Sequence, residues 1–325
     1  MDSQRYFGLM KETGEKTYKK IESILDESIG EDSLRGFIER FMYGRLENKR
    51  RLRSLLVRGV YQAVSDENWL ECLDVCAAFE LWCLADYLSN DIFDGKLDKC
   101  RVEIERDPNL FYMASSVIRE VSGETLMDAA RKLRPEREGK VLELFSELVK
   151  DAYMHQWVDY TLKYKGESPE ELRGRIDELF HRRYIEYEAG NCLGKICKIS
   201  AVLFGGEDYQ ETLAEYGRKF SAALQVVNDI ADIAEGTYDL KNRLLTYPLV
   251  LTMTKTGENV YEMPGEEVRK LFVRSGAFDE CRGRALRIGK EAKRCIKSFG
   301  VEQREILSSM LVFIRSNRYY KMLRE

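Results

Sequence analysis

The sequence predicts an all-α fold, on three observations. Apolar residues recur at helical spacing along most of the chain. No stretch shows the period-two alternation of a half-buried strand. Only five prolines interrupt 325 residues. At 44% hydrophobic and 33% charged, the chain can bury a substantial core as one large domain or two. It has no low-complexity linker and no short-period repeat, so a single domain over residues 1–325 is expected.

The elements follow in order. Arg51 to Val64 (RLRSLLVRGVYQAV) is an amphipathic helix. Asn68 to Asp94 is a long apolar-periodic helix stopped by Gly95. Gly95 to Asn109 is the most polar connection and the candidate for a mobile active-site loop. Lys140 to Tyr164 is a further helix, closed by Gly166. Ser168-Pro169 opens the next, Glu170 to Phe204, which Gly190 and Gly194 interrupt and Gly205-Gly206 terminate. Asp208 is placed as the cap of a helix over Tyr209 to Ala234, ended by Gly236. Shorter helices are expected around Leu244 to Thr254, Glu266 to Ser275, Asp279 to Phe299 and Val301 to Leu323.

Composition removes several classes of function. Net charge is −4, from 52 basic and 56 acidic residues, so no overall basic character points to nucleic acid. No apolar run reaches the roughly 18 residues of a membrane span. The stretch MDSQRYFGLMKETGEK lacks the apolar centre of an export signal, so a cytoplasmic protein with reduced thiols is expected. The eight cysteines have only His155 and His181 as companions and no zinc-ligand spacing; buried free thiols are expected.

Two polar interruptions in apolar helices carry the chemistry. In LADYLSNDIFD, Asn90 and Asp94 share a helix face, with Asp91 beside them and Asp86 one turn before. In QVVNDIADI, Asn228 and Asp232 form an equivalent pair, with Asp229 adjacent and Gln225 one turn earlier. Surroundings as apolar as FELWCLADYL and FSAALQVV make unpaired carboxylates costly without a cation. Oxygen donors projecting from helices suit Mg²⁺, whose remaining positions water and phosphate fill. A basic counterpart, Lys49, Arg50, Arg51 and Arg53, stands at the start of a helix, where guanidinium groups and backbone N–H donors suit phosphate oxygens. Together these fit a diphosphate leaving group, with an apolar cavity beside it for a hydrocarbon tail.

At these residues the sequence resembles the trans-prenyltransferase family of isoprenyl diphosphate synthases, in the class I isoprenoid synthase superfamily. Asn90-Asp91-Ile92-Phe93-Asp94 is similar to the family's first aspartate-rich motif, DDxxD, and Gln225 to Asp232 to its second, QxxDDxxD. Asp239-Leu240 with Thr246-Tyr247-Pro248, Lys49 to Arg53, Gln156 with Asp159, and the SGAFDECRGRA segment match further family features in the family's order. The resemblance implies a helical bundle around a deep apolar cavity, three Mg²⁺ ions linking the two motifs to an allylic diphosphate, and a homodimer. It assigns metal to Asn90, Asp91 and Asp94 on one wall and to Asn228, Asp229 and Asp232 on the other. Arg50 and Arg53 take the place of the isopentenyl diphosphate-binding pair, flanked by Lys49 and Arg51. Trp82, Ala85, Tyr87 and Leu88 precede the first motif, where the family's tail pocket lies.

The departures are specific. Both motifs begin with Asn, each losing a negative charge. The arginine pair after the first motif is absent, Leu244 stands where a lysine is expected, and EYEAGNCLG replaces the Lys-Thr dipeptide before the second motif. Other features resemble class I terpene synthases: the Asn228-Asp229 start, Arg182 and Arg183 upstream, and Arg318-Tyr319 near the end. The expected activity is Mg²⁺-dependent condensation of an allylic prenyl diphosphate with isopentenyl diphosphate. The alternatives are a terpene cyclase and a non-catalytic subunit bound to another prenyl synthase.

Overall fold

The computed structural model describes residues 3–46, 52–65, 67–93, 95, 97, 106–186, 189–235, 238–315 and 318–323. These are helical almost throughout; the one β-type pairing among them is an isolated antiparallel bridge between Lys163 and Leu244. The all-α expectation holds. The chain divides into two compact units.

The first unit comprises Met1–Ser146, Ile196–Gln210 and Phe299–Ser309. It contains α1 (Ser3–Ser28), α2 (Asp32–Leu46), α3 (Leu52–Val64), α4 (Leu73–Phe93) and α5 (Pro108–Leu133). Sequence periodicity places no helix over α1, α2 or α5. The start of α5 is nevertheless written in the sequence: the Asp107 carboxylate accepts from the Asn109 amide at 2.8 Å, and Pro108 takes the first helical position. Most of the polar connection before it, expected as a mobile loop, lies outside the described residues. A short 3₁₀ turn, Trp69–Cys72, leads into α4; Asn68 caps it by accepting from the Leu70 amide at 3.1 Å.

Helix α4 is apolar on almost every face because it is the centre of this unit. Its Leu81, Leu84, Ala85 and Leu88 share one core cluster with residues from three other helices. These are Ile21 and Leu25 of α1, Phe37, Ile38 and Phe41 of α2, and Phe111, Ala114 and Ile118 of α5. Phe111 meets Phe37 and Phe41 edge-on, at ring separations of 5.4 and 5.7 Å. Helices α4 and α5 run antiparallel, and serines mark their close approach: Ser115 donates to the Ala85 carbonyl at 2.9 Å and Ser122 to that of Ala78 at 2.8 Å.

The second unit comprises Glu147–Lys195, Glu211–Ser298 and Met310–Glu325. The division falls within α6 (Glu138–Thr161), which precedes α7 (Pro169–Phe180), and again within α8 (Ala189–Leu203). Ser168 and Glu171 form a reciprocal capping box at the start of α7. The helix expected over Glu170 to Phe204 is therefore two helices, and a π-helical turn, His181–Glu186, follows the first. Gly194 does not interrupt α8. A Cβ there would lie 2.6 Å from Arg218 Cγ and 3.0 Å from the Ala214 carbonyl, so the glycine permits close packing on α9 (Gln210–Glu235).

Gly205, at φ +78°, and Gly206 do end α8 as expected. Asp208 does not cap α9: it lies inside a 3₁₀ turn, Glu207–Tyr209, and no side chain caps that turn. Gly236, expected to end α9, lies outside the described residues. After α9 come α10 (Tyr238–Lys241), α11 (Tyr247–Thr256), α12 (Gly265–Arg274) and α13 (Ala277–Cys295). The helix expected over Val301 to Leu323 is instead three short pieces, Glu305–Met310, Val312–Arg315 and Tyr319–Met322. No helix of the described residues is long and apolar enough to cross a membrane. The seven cysteines among them are free thiols, six of them buried.

Candidate active site

The first motif lies at the end of α4. Asn90 is half-buried, and its amide nitrogen faces Asp86 Oδ2 at 3.4 Å. Its Oδ1 is buried and accepts no hydrogen bond. Asp91 is buried, and Asp94 lies outside the described residues. An unpartnered buried carbonyl oxygen costs about 1–3 kcal/mol, and a cation held there with Asp86 would remove that cost.

Of the basic run, Lys49, Arg50 and Arg51 lie outside the described residues. Arg53 is described, and α3 brings it to the same wall. Its guanidinium donates to the Tyr87 hydroxyl at 2.9 Å, one turn before Asn90. Burial opposes its charge, but Cys83, Tyr87 and Glu80 outweigh that and raise its pKa above the ordinary guanidinium value. Glu80 holds the start of α3 in place, accepting from the Ser54 amide at 2.8 Å and the Ser54 hydroxyl at 2.9 Å. Cys83 is buried, and its thiol is pushed up to about 12 by that burial. Sequence reasoning missed Arg119 of α5, whose guanidinium reaches Ser89 at 3.4 Å, beside the first motif. A lone arginine on an otherwise unassigned helix gives no signal.

The second motif lies on α9, and its three oxygen-bearing side chains differ sharply. Asn228 is exposed; its amide nitrogen donates to Gln225 Oε1 at 3.2 Å. Asp229 is buried, its Oδ1 accepting from Gln225 Nε2 at 2.9 Å and its Oδ2 from the Tyr184 hydroxyl. Tyr184 in turn accepts from the Tyr247 amide at 2.9 Å. Asp232 is half-buried and accepts from the Asp239 amide at 2.9 Å, anchoring the start of α10.

Arg183 joins this network, bonded to Asp159 and with its Nε 3.7 Å from Asp229 Oδ2. The π-helical turn makes the arrangement possible, because consecutive residues Arg183 and Tyr184 are both buried. Burial would raise the Asp159 carboxyl, but Arg183 and then His155, at 3.3 Å, outweigh it and hold it down at about 2. Asp239 moves the other way: burial first, then Asp229 and Asp232, push its carboxyl well above the usual range.

Arg182, by contrast, is exposed, and it is Arg183 that reaches the aspartates. Arg318 and Tyr319 both bind Glu235, at 2.8 and 2.5 Å, and Arg318 also donates to the Tyr319 hydroxyl at 2.7 Å. Among the described residues no three His, Cys, Asp or Glu side chains gather as ligands of one ion. A Mg²⁺–diphosphate site does not require such a cage, since phosphate and water supply most of its ligands.

The model of one protein family, polyprenyl synthetase, matches residues 39–264. The chain belongs to the polyprenyl synthetase family. Family membership spans α3 through α11 and both aspartate-rich motifs. Comparison with curated proteins finds no match. Solved structures with the same fold include a geranylgeranyl pyrophosphate synthetase from the archaeon Geoglobus acetivorans. It is 18% identical, with a TM-score of 0.77, over 97% of this chain and 100% of that one. Another is the geranylgeranyl pyrophosphate synthetase from Pyrococcus horikoshii Ot3, 18% identical, with a TM-score of 0.75, over 97% of this chain and 99% of that one. A polyprenyl synthase from Caulobacter crescentus CB15, complexed with calcium and isoprenyl diphosphate, is 17% identical, with a TM-score of 0.77, over 98% of each chain. At these identities the likeness is one of fold.

Proposed function

We propose that this member of the polyprenyl synthetase family is a Mg²⁺-dependent prenyltransferase that condenses an allylic prenyl diphosphate with isopentenyl diphosphate. The observation that carries the reading is Asn90 Oδ1, a buried acceptor without a partner at the head of the first motif, with Asp86 beside it. The proposal treats residues 1–325 as a single synthase domain. Bound Mg²⁺ would neutralise the charge that develops on the departing diphosphate.

The protein's own residues take separate duties. Asn90, Asp91 and Asp94 from the first motif, and Asn228 and Asp232 from the second, supply oxygen donors. Asp229 is already bonded to Gln225 and Tyr184, and its part is to hold α9 in register. Arg53, with Lys49, Arg50 and Arg51, binds the second diphosphate, and Tyr87 orients Arg53. Trp82 and Leu88, both buried on α4, border the tail pocket in this reading.

A homodimer is proposed through the exposed face of α6. Tyr153, Met154, Trp157 and Tyr160 leave 49%, 40%, 64% and 63% of their surfaces open there, an apolar stripe of the kind that marks association.

A cyclase is the second reading, favoured by Arg318 and Tyr319 converging on Glu235. The test is incubation of the purified protein with Mg²⁺, isopentenyl diphosphate and each allylic diphosphate in turn. A longer prenyl diphosphate supports condensation. A hydrocarbon or alcohol formed without isopentenyl consumption supports cyclisation. No turnover alone, with altered product length on mixing with an active synthase, supports a regulatory subunit.

A further inference from the structure

The second unit carries a concentration of positive charge that the proposed chemistry does not use. Between Cys281 and Ser298 the chain has seven basic residues and one acidic one, against a net charge of −4 overall. Most of this stretch is α13. The helix buries Cys281, Ala285, Gly289 and Ala292 on one face. A Cβ on Gly289 would lie 3.1 Å from Ile314 Cδ1, so that face is closely packed.

Some of the charge is used within the unit. Arg284 lies over the Phe180 ring at 3.5 Å and pairs with Asp177 at 3.3 Å, and Arg282 lies over the Tyr320 ring at 5.3 Å. The lone acid, Glu291, is taken by Lys219 of α9 at 3.2 Å. Four other charges are not used in this way. Arg287, Lys290, Lys293 and Arg294 are all exposed, and among the described residues none of them pairs with a carboxylate.

Steps of three and four place Arg287, Lys290 and Arg294 along the outer face of α13, opposite the buried one, with Lys293 at its flank. The helix rises about 10 Å from Arg287 to Arg294, close to one Debye length, so the four charges act together. The helix dipole favours Lys293 and Arg294, which lie in the last turn, but its effect does not reach Arg287 and Lys290.

We infer that this face of α13 docks on an anionic phospholipid surface. Its centre offers charge without the apolar or aromatic anchor that a protein partner would use, whereas an anionic leaflet needs only the charge. The purpose rests on the proposed function: a lengthened prenyl diphosphate has an apolar tail that enters a bilayer, and a surface-bound synthase releases it there. The docking itself needs no turnover.

Co-sedimentation of the full chain with phosphatidylcholine vesicles, with and without phosphatidylglycerol, tests this without substrate or metal, so its outcome is separate from that of the prenyl-transfer assay. Two variants of equal charge change accompany the wild type: Arg287→Gln, Lys290→Gln and Arg294→Gln together, and, as a control, Lys11→Gln, Lys16→Gln and Lys19→Gln on the exposed surface of α1. Thermal unfolding shows that each is folded. The expected result is binding to the phosphatidylglycerol vesicles alone, weakened by salt, lowered at least about tenfold in the α13 variant and unchanged in the control. The inference is overturned if the wild type binds neither vesicle or both equally, if the folded α13 variant keeps wild-type binding, or if the control loses as much. Binding to polyglutamate but not to vesicles would also overturn it, assigning the face to an acidic protein segment instead.

Discussion

Asparagine at the head of each motif sets the residue-scale chemistry. An amide oxygen can ligate Mg²⁺ but brings no charge, so Asn90→Asp and Asn228→Asp are each expected to tighten apparent Mg²⁺ affinity, by about tenfold, or ~1.4 kcal/mol. Titration of activity against Mg²⁺ checks this; unchanged Mg²⁺ dependence in both variants would count against their roles as ligands. At Asp159 the expectation concerns pH. Its folded pKa of about 2 lies below the unfolded value of about 3.9, so its pairing with Arg183 stabilises the fold above that unfolded value. That stabilisation, about 2 kcal/mol, is lost as pH falls from about 4 towards about 2. Asp159→Asn should therefore be less stable than wild type at neutral pH, and denaturant midpoints should converge in acid.

Helices are legible where their environment matches their sequence pattern. The long, largely apolar run of α4 is readable because a central helix buries most of its surface. The π-helical turn at 181–186 is not, because HRRYIE carries no proline or glycine and its geometry comes from tertiary demand: Arg183 and Tyr184 must both reach Asp229. For the same reason Asn228, Asp229 and Asp232 read alike in sequence, yet only the packing of Tyr184 and Gln225 distinguishes the buried Asp229 from its exposed neighbour Asn228. Gly194 misleads as a point of interruption, since a glycine that admits a neighbouring helix looks the same as one that ends its own. Gly194→Ala should cost about 1–3 kcal/mol in urea unfolding through its clash with Arg218 and Ala214.

For the whole molecule, family membership and the all-α fold agree with the ordered set of motifs that the sequence displays. The proposed homodimer is expected to depend on α6. Trp157→Asp places a charge within its exposed aromatic stripe and should shift sedimentation from dimer towards monomer. An unchanged sedimentation coefficient would remove that face from the interface. The central claim, that asparagine-led motifs still drive diphosphate departure, is tested most directly by pyrophosphate release from an allylic diphosphate supplied with isopentenyl diphosphate, with and without Mg²⁺. The account predicts release that requires Mg²⁺ and yields a longer prenyl diphosphate. Release that proceeds equally when the metal is chelated, or no release under any of these conditions, would contradict it.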